Sequence, residues 1–204
     1  LALQQHELQA LQAYLPANTA GWVIDYMHSY KIHLKIKRER RTILGDYRPA
    51  HRGKPHTISV NANLNSYHFL ITFLHELAHL INHLNMGHRA LPHGAEWKAV
   101  FSNLLKKFLD AEVFPKDIAF AIIKSLQSPS ASTCSDPYLY KILRKYDHET
   151  EKFLIDELNL GDHFKTDKNQ EFKLLEKRRT RFVCEDLTSG KKYLFPGIYE
   201  VYKL

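Results

Sequence analysis

From residue 68 to 85 the apolar side chains cover more than half of a helical circumference. At about 100° per residue, Phe69, Leu70, Ile71, Phe73, Leu74, Leu77, Ala78, Leu80, Ile81 and Leu84 share one broad arc. His68, Thr72, His75, Glu76, His79, Asn82 and His83 fill the rest. A helix this apolar is predicted to be buried, its polar stripe facing a cleft rather than open water. Asn65 or Ser66 can cap its start. A second helix is predicted where Trp97, Val100, Phe101, Leu104, Leu105, Phe108 and Leu109 recur at i, i+3, i+4 and i+7. Pro92 and Gly94 suit a turn leading into it, and His93 lies one turn before Trp97 on the same inward side.

The flanking patterns complete an α+β chain. Residues 3–15 and 19–30 read as helices broken at Pro16, and 115–127 as another. Residues 31–37 alternate cleanly: Ile32, Leu34 and Ile36 face a core, while Lys31, His33, Lys35 and Lys37 face outward. Arg38, Arg40 and Arg41 continue this basic face, which reads equally as a lysine-guarded edge strand or as a nucleic-acid contact. Thr42–Tyr47 and Thr57–Val60 suggest two more strands, separated by a loop from Arg48 to Pro55. After a Ser/Pro-rich stretch from Ser128 to Pro137, short helical patterns are predicted over 138–146 and 149–158. Four strands follow, over 171–175, 180–185, 192–195 and 198–202, with Thr188-Ser189-Gly190 as a turn. The expected organisation is therefore a first domain over 1–128 holding the two long helices, a helical connector over 129–159 and a small basic β-module over 160–204.

Composition narrows the class. With 204 residues and 44% hydrophobic content, the chain can bury one good core plus a small appendage. No apolar run is long enough to span a bilayer, and residues 1–16 lack the character of a secretory signal. The two cysteines, Cys134 and Cys184, fit free thiols in a reducing cytosol. A cytoplasmic location is therefore expected. The net charge of +7 favours anionic partners. In the tail, Lys177, Arg178, Arg179, Arg181, Lys191, Lys192 and Lys203 mix with Phe182, Tyr193, Phe195, Tyr199 and Tyr202. The charges suit phosphate binding, and the aromatics suit the core of a small β-module.

The chemistry is carried by His75-Glu76-Leu77-Ala78-His79. Two histidines four apart project from one side of a helix and can reach one metal ion, with Glu76 beside it to hold water. His93 is the leading third ligand. Glu96, one turn further on, would give a His-His-Glu set instead, and His83, His88 and His68 are weaker rivals. The longer metzincin motif fails, because Asn82 and Asn85 stand where its glycine and third histidine would be. Three neutral ligands and an open position describe a hydrolytic zinc site.

The pair His75-Glu76-Leu77-Ala78-His79 and His93-Gly94-Ala95-Glu96-Trp97 resembles the SprT-like (Spartan-related) family of zinc metallopeptidases. The likeness extends through 41–64 and more loosely to the tail. It implies a zincin-like fold, with His75, His79 and His93 binding Zn2+ and Glu76 catalytic. It also implies protein substrates that are DNA-associated or crosslinked to DNA. Many members carry a four-cysteine zinc ribbon at the C-terminus. Here only Cys184 lies in the tail, so that module resembles a metal-free version. The competing expectation is a nucleic-acid-binding protein whose zinc site is structural or idle.

Overall fold

The computed structural model describes residues 2–40, 43–127, 136–148 and 150–204, without the side chains of 2–4 and His88. Arg41, Cys134 and most of the Ser/Pro-rich stretch lie outside these residues. The architecture is mixed α+β, and two compact units divide between Asp147 and His148.

The first unit opens with helices α1 (Ala2–Gln12) and α2 (Ala20–Ser29), which pack on each other. Three strands follow: β1 (Ile32–Lys37), β2 (Gly45–Arg48) and β3 (His56–Asn61). Their order is β1-β3-β2, with β1 parallel and β2 antiparallel to the central strand. The alternation read in β1 holds, with Ile32 buried and His33, Lys35 and Lys37 exposed. β1 is also an edge strand.

Helix α3 (Ser66–Met86) packs against β2 and β3. Asn65 caps it, its side-chain oxygen accepting from the His68 N–H at 2.9 Å. The Asn65 amide donates to Leu143 O at 2.9 Å and to the Asp147 carboxylate at 2.6 Å. Phe69, Phe73, Leu77 and Leu80 of α3 meet Ile58 and Val60 of β3 in one core, all fully buried. The polar stripe is more enclosed than expected: His68, Thr72 and Asn82 are buried. Packing on several sides leaves only part of the stripe facing a cleft.

Helices α4 (Ala95–Asp110), α5 (Lys116–Leu126) and α6 (Pro137–Arg144) complete the unit. The predicted inward face of α4 is buried through Trp97, Phe101, Leu104, Leu105 and Phe108. Helix α6 packs on α5 and sends Leu139, Ile142 and Leu143 into this same core. That burial makes α6 part of the first unit and moves the division past the expected one at 128.

The second unit is a six-stranded antiparallel sheet with its own core. Its strands are β4 (Phe153–Leu154), β5 (His163–Lys165), β6 (Glu171–Lys177), β7 (Arg181–Asp186), β8 (Lys192–Pro196) and β9 (Glu200–Lys203), in the order β4-β9-β5-β6-β7-β8. Phe164, Phe172, Leu174, Phe182, Cys184 and Val201 are buried together. Tyr193 and Tyr199 stay exposed. Two details differ from expectation. The helical pattern over 149–158 resolves into β4, paired with Val201 and Glu200, and a 3-10 turn over Ile155–Glu157. Pairing with β9 outweighs the short run of apolar positions. β5 is too brief for its alternation to be read.

Candidate metal centre

Two helices and one strand build the site. One helical turn on α3 places His75 and His79 together, with their Nε2 atoms 3.2 Å apart. His93 reaches them from the turn before α4, its Nε2 lying 3.1 Å from that of His75. In that turn Gly94 N–H donates to Leu91 O at 3.2 Å, Pro92 takes the second position and His93 the third, with φ of 60°. Proline then a left-handed residue is the pattern of a type II turn, and histidine enters that region more readily than most side chains. A Cβ on Gly94 would lie 3.1 Å from the Leu91 Cβ, so the turn is tight.

Trp97 forms the floor. Its buried ring lies 4.7 Å from the His75 ring, 5.1 Å from His79 and 4.6 Å from His93, centroid to centroid. Phe101 extends this apolar wall to His75 at 5.5 Å. Burial lowers the His75 pKa to about 3 and that of His79 to about 4, helped by the other rings, and burial also lowers His93. All three rings are thereby neutral near pH 7, as metal ligands must be.

The donor set fits one ion. Among the described residues, His75, His79 and His93 form the group whose ligand atoms all lie within 4.8 Å of one another. A tetrahedral ion bound at about 2.05 Å holds its nitrogens about 3.3 Å apart, against the observed 3.1 and 3.2 Å. Three converging lone pairs repel unless a proton or cation lies between them. The described rival ligands lie outside this group, and the side chain of His88 is not among the described residues. Glu96 is exposed and outside the group. The His83 ring lies 6.2 Å from Tyr47, and His68 is buried 6.0 Å from Tyr140.

Glu76 is buried beside His75, and its pKa is pushed up to about 7. Burial is the main cause and Asp46 adds to it; Arg40 and the Tyr47 N–H oppose. Strand β2 runs against this carboxylate. A Cβ on Gly45 would sit 2.8 Å from the Glu76 Cγ and Oε1 and from the Thr72 Cγ2. Only a residue without a side chain lets β2 come this close. A glycine inside a strand is a visible sign of such an approach, yet nothing local names its partner.

Arg40 corrects the sequence reading. It is half-buried and held, donating from Nε to Asn61 Oδ1 at 2.8 Å and from a terminal nitrogen to Ser59 Oγ at 2.9 Å. Asn61 donates back to Arg40 O and Ile43 O. Arg40 therefore braces the strand ends next to Glu76 and is not part of a freely exposed basic face.

An H-E-x-x-H helix joined by a third histidine from the next helix's lead-in turn defines a candidate mononuclear metal site. The sequence over residues 16–116 matches the SprT-like family, and this part of the chain is a SprT-like family domain. No curated protein and no solved structure matches the chain. No described helix is long and apolar enough to cross a membrane.

Proposed function

We propose that the protein is a zinc-dependent metallopeptidase. The observation that carries this reading is the convergence of three neutral imidazole nitrogens at 3.1 and 3.2 Å beside a buried glutamate. His75, His79 and His93 would hold the ion, and Glu76 would be catalytic. The chemistry such an ion supplies is Lewis acidity, which acidifies water and polarises a carbonyl.

The remaining work belongs to the chain. Glu76 accepts the proton of the attacking water and delivers it to the leaving amine. Burial raises the affinity of this carboxylate for a proton, which favours its accepting one from water. The Tyr47 N–H orients the carboxylate. Trp97 and Phe101 keep water from the back of the histidine rings. β2 is an edge strand beside Glu76, so an extended substrate peptide can add to it through main-chain hydrogen bonds. The net charge of +7 supports a nucleic-acid setting, with DNA-associated or DNA-crosslinked proteins as substrates.

The test uses Glu76→Gln in the full chain. Zinc content should match the wild type, while casein cleavage falls by about 10²- to 10⁴-fold. Cleavage at the wild-type rate by this variant, or cleavage by wild type that survives chelation, refutes the assignment. Full zinc content with no cleavage of any protein, with or without DNA, would leave the idle-site reading.

A further inference from the structure

The three-stranded sheet has an inner face against α3 and an outer face with no helix described on it. Lys35 and Lys37 of β1, Thr57 and Ser59 of β3, and Asp46 and Arg48 of β2 project outward, and the loop after β2 rises beside them. Together they line a concavity of about 700 Å³. Six permanent cations line it: Lys35, Lys37, Arg40, Arg48, Arg52 and Lys54. Among the described lining residues the only carboxylate is Asp46, held by Arg48 Nε at 2.8 Å. Arg40 is fixed by Asn61 and Ser59. The side-chain cations of Lys35, Lys37, Arg52 and Lys54 make no hydrogen bond or ion pair with another described residue. Four unpaired cations facing one hollow repel each other, and a polyanion relieves that repulsion while releasing its own counterions.

The lining selects among polyanions. Apart from Pro49 and Pro55 it holds no apolar side chain, and no Phe, Tyr or Trp. A peptide ligand draws its affinity from side-chain pockets or aromatic anchors, which this hollow lacks. Single strands bind largely by stacking bases on aromatic rings, also lacking here. A duplex presents its phosphates outward and needs neither. We infer that this outer face is a binding trough for the phosphodiester backbone of a nucleic-acid duplex, read without regard to base sequence. The inference deepens the proposed function and rests on it for its purpose: the trough would hold the peptidase beside proteins on the same nucleic acid.

The test measures binding of a short fluorescein-labelled DNA duplex to the full chain across a salt series. The variants are Lys35→Ala/Lys37→Ala in the trough and Arg179→Ala/Arg181→Ala in the second unit, all exposed positions. The trough pair should weaken binding by about tenfold at low salt and lower the slope of log affinity against log salt by about 1.8, roughly 0.9 per lost phosphate contact. The second pair should change both less. Duplex affinity unchanged in the trough pair overturns the inference. So does competition by polyglutamate as strong as that by unlabelled duplex at equal charge, which would indicate an acidic peptide. Casein cleavage by the same preparations separates the two readings. A wild type that cleaves but binds no duplex sinks the trough alone, and one that binds duplex through Lys35 and Lys37 but never cleaves sinks only the peptidase.

Discussion

Replacing Gly45 with alanine probes how strand β2 meets the buried glutamate. The new Cβ would stand 2.8 Å from the Glu76 Cγ and Oε1 and from the Thr72 Cγ2. Carbon atoms in good contact lie about 3.5–4.0 Å apart, so something must move by about 1 Å. The backbone of α3 cannot give readily, because Phe69, Phe73 and Leu77 around these positions are fully buried. Either β2 lifts or the carboxylate swings away from its Tyr47 hydrogen bond. A displacement of about 1 Å at a reacting group costs about 100-fold in rate, equivalent to about 2.7 kcal/mol at the transition state. Overpacking should also lower stability by about 1–3 kcal/mol. The three atoms nearest the new methyl belong to Glu76 and Thr72 and not to the histidines, so zinc content should stay at the wild-type level. The assay is kcat/KM on a quenched fluorescent peptide, with metal content and a urea melt on the same sample. Gly21→Ala serves as the control, since a Cβ there meets nothing within 4 Å and its activity should be unchanged. A Gly45→Ala protein within about threefold of wild-type activity, or one that loses its zinc together with activity, would refute the reasoning.

Three further outcomes are expected. His93→Ala should lose zinc, while Glu96→Ala should keep it; the reverse result in metal analysis would restore the His-His-Glu set. His68 is buried with its pKa lowered to about 4, against 6.5 ordinarily. The unfolded chain takes up that proton first as pH falls, so this contribution is whole above about pH 6.5 and is lost progressively down to about pH 4. It amounts to about 3 kcal/mol. Urea melts of His68→Gln should show a flatter fall of stability over this window, and an identical slope would disprove the assignment. Asn65→Ala removes the cap of α3 and the bonds to Leu143 O and Asp147, and should cost about 2 kcal/mol in denaturant unfolding.

Much of this molecule is written in local periodicity. The apolar arc of α3, the inward stripe of α4 and the alternation of β1 each appear in the fold as spaced, because burying one face is a property of consecutive residues. The same spacing put His75, Glu76 and His79 on one side of a helix, and the place of His93 one turn before Trp97 put it on the inward side. What tertiary structure alone decided are the contacts between distant segments. Nothing near Gly45 names Glu76 as its neighbour, and nothing near Arg40 says that Asn61 and Ser59 hold it. Helix α6 joins the first unit because its apolar face finds a core built by residues far upstream, and β4 forms because β9 lies beside it. Helical and strand periods are set by backbone geometry within a few residues. Which surfaces meet is settled by competition for burial across the whole chain, which no short window of sequence contains.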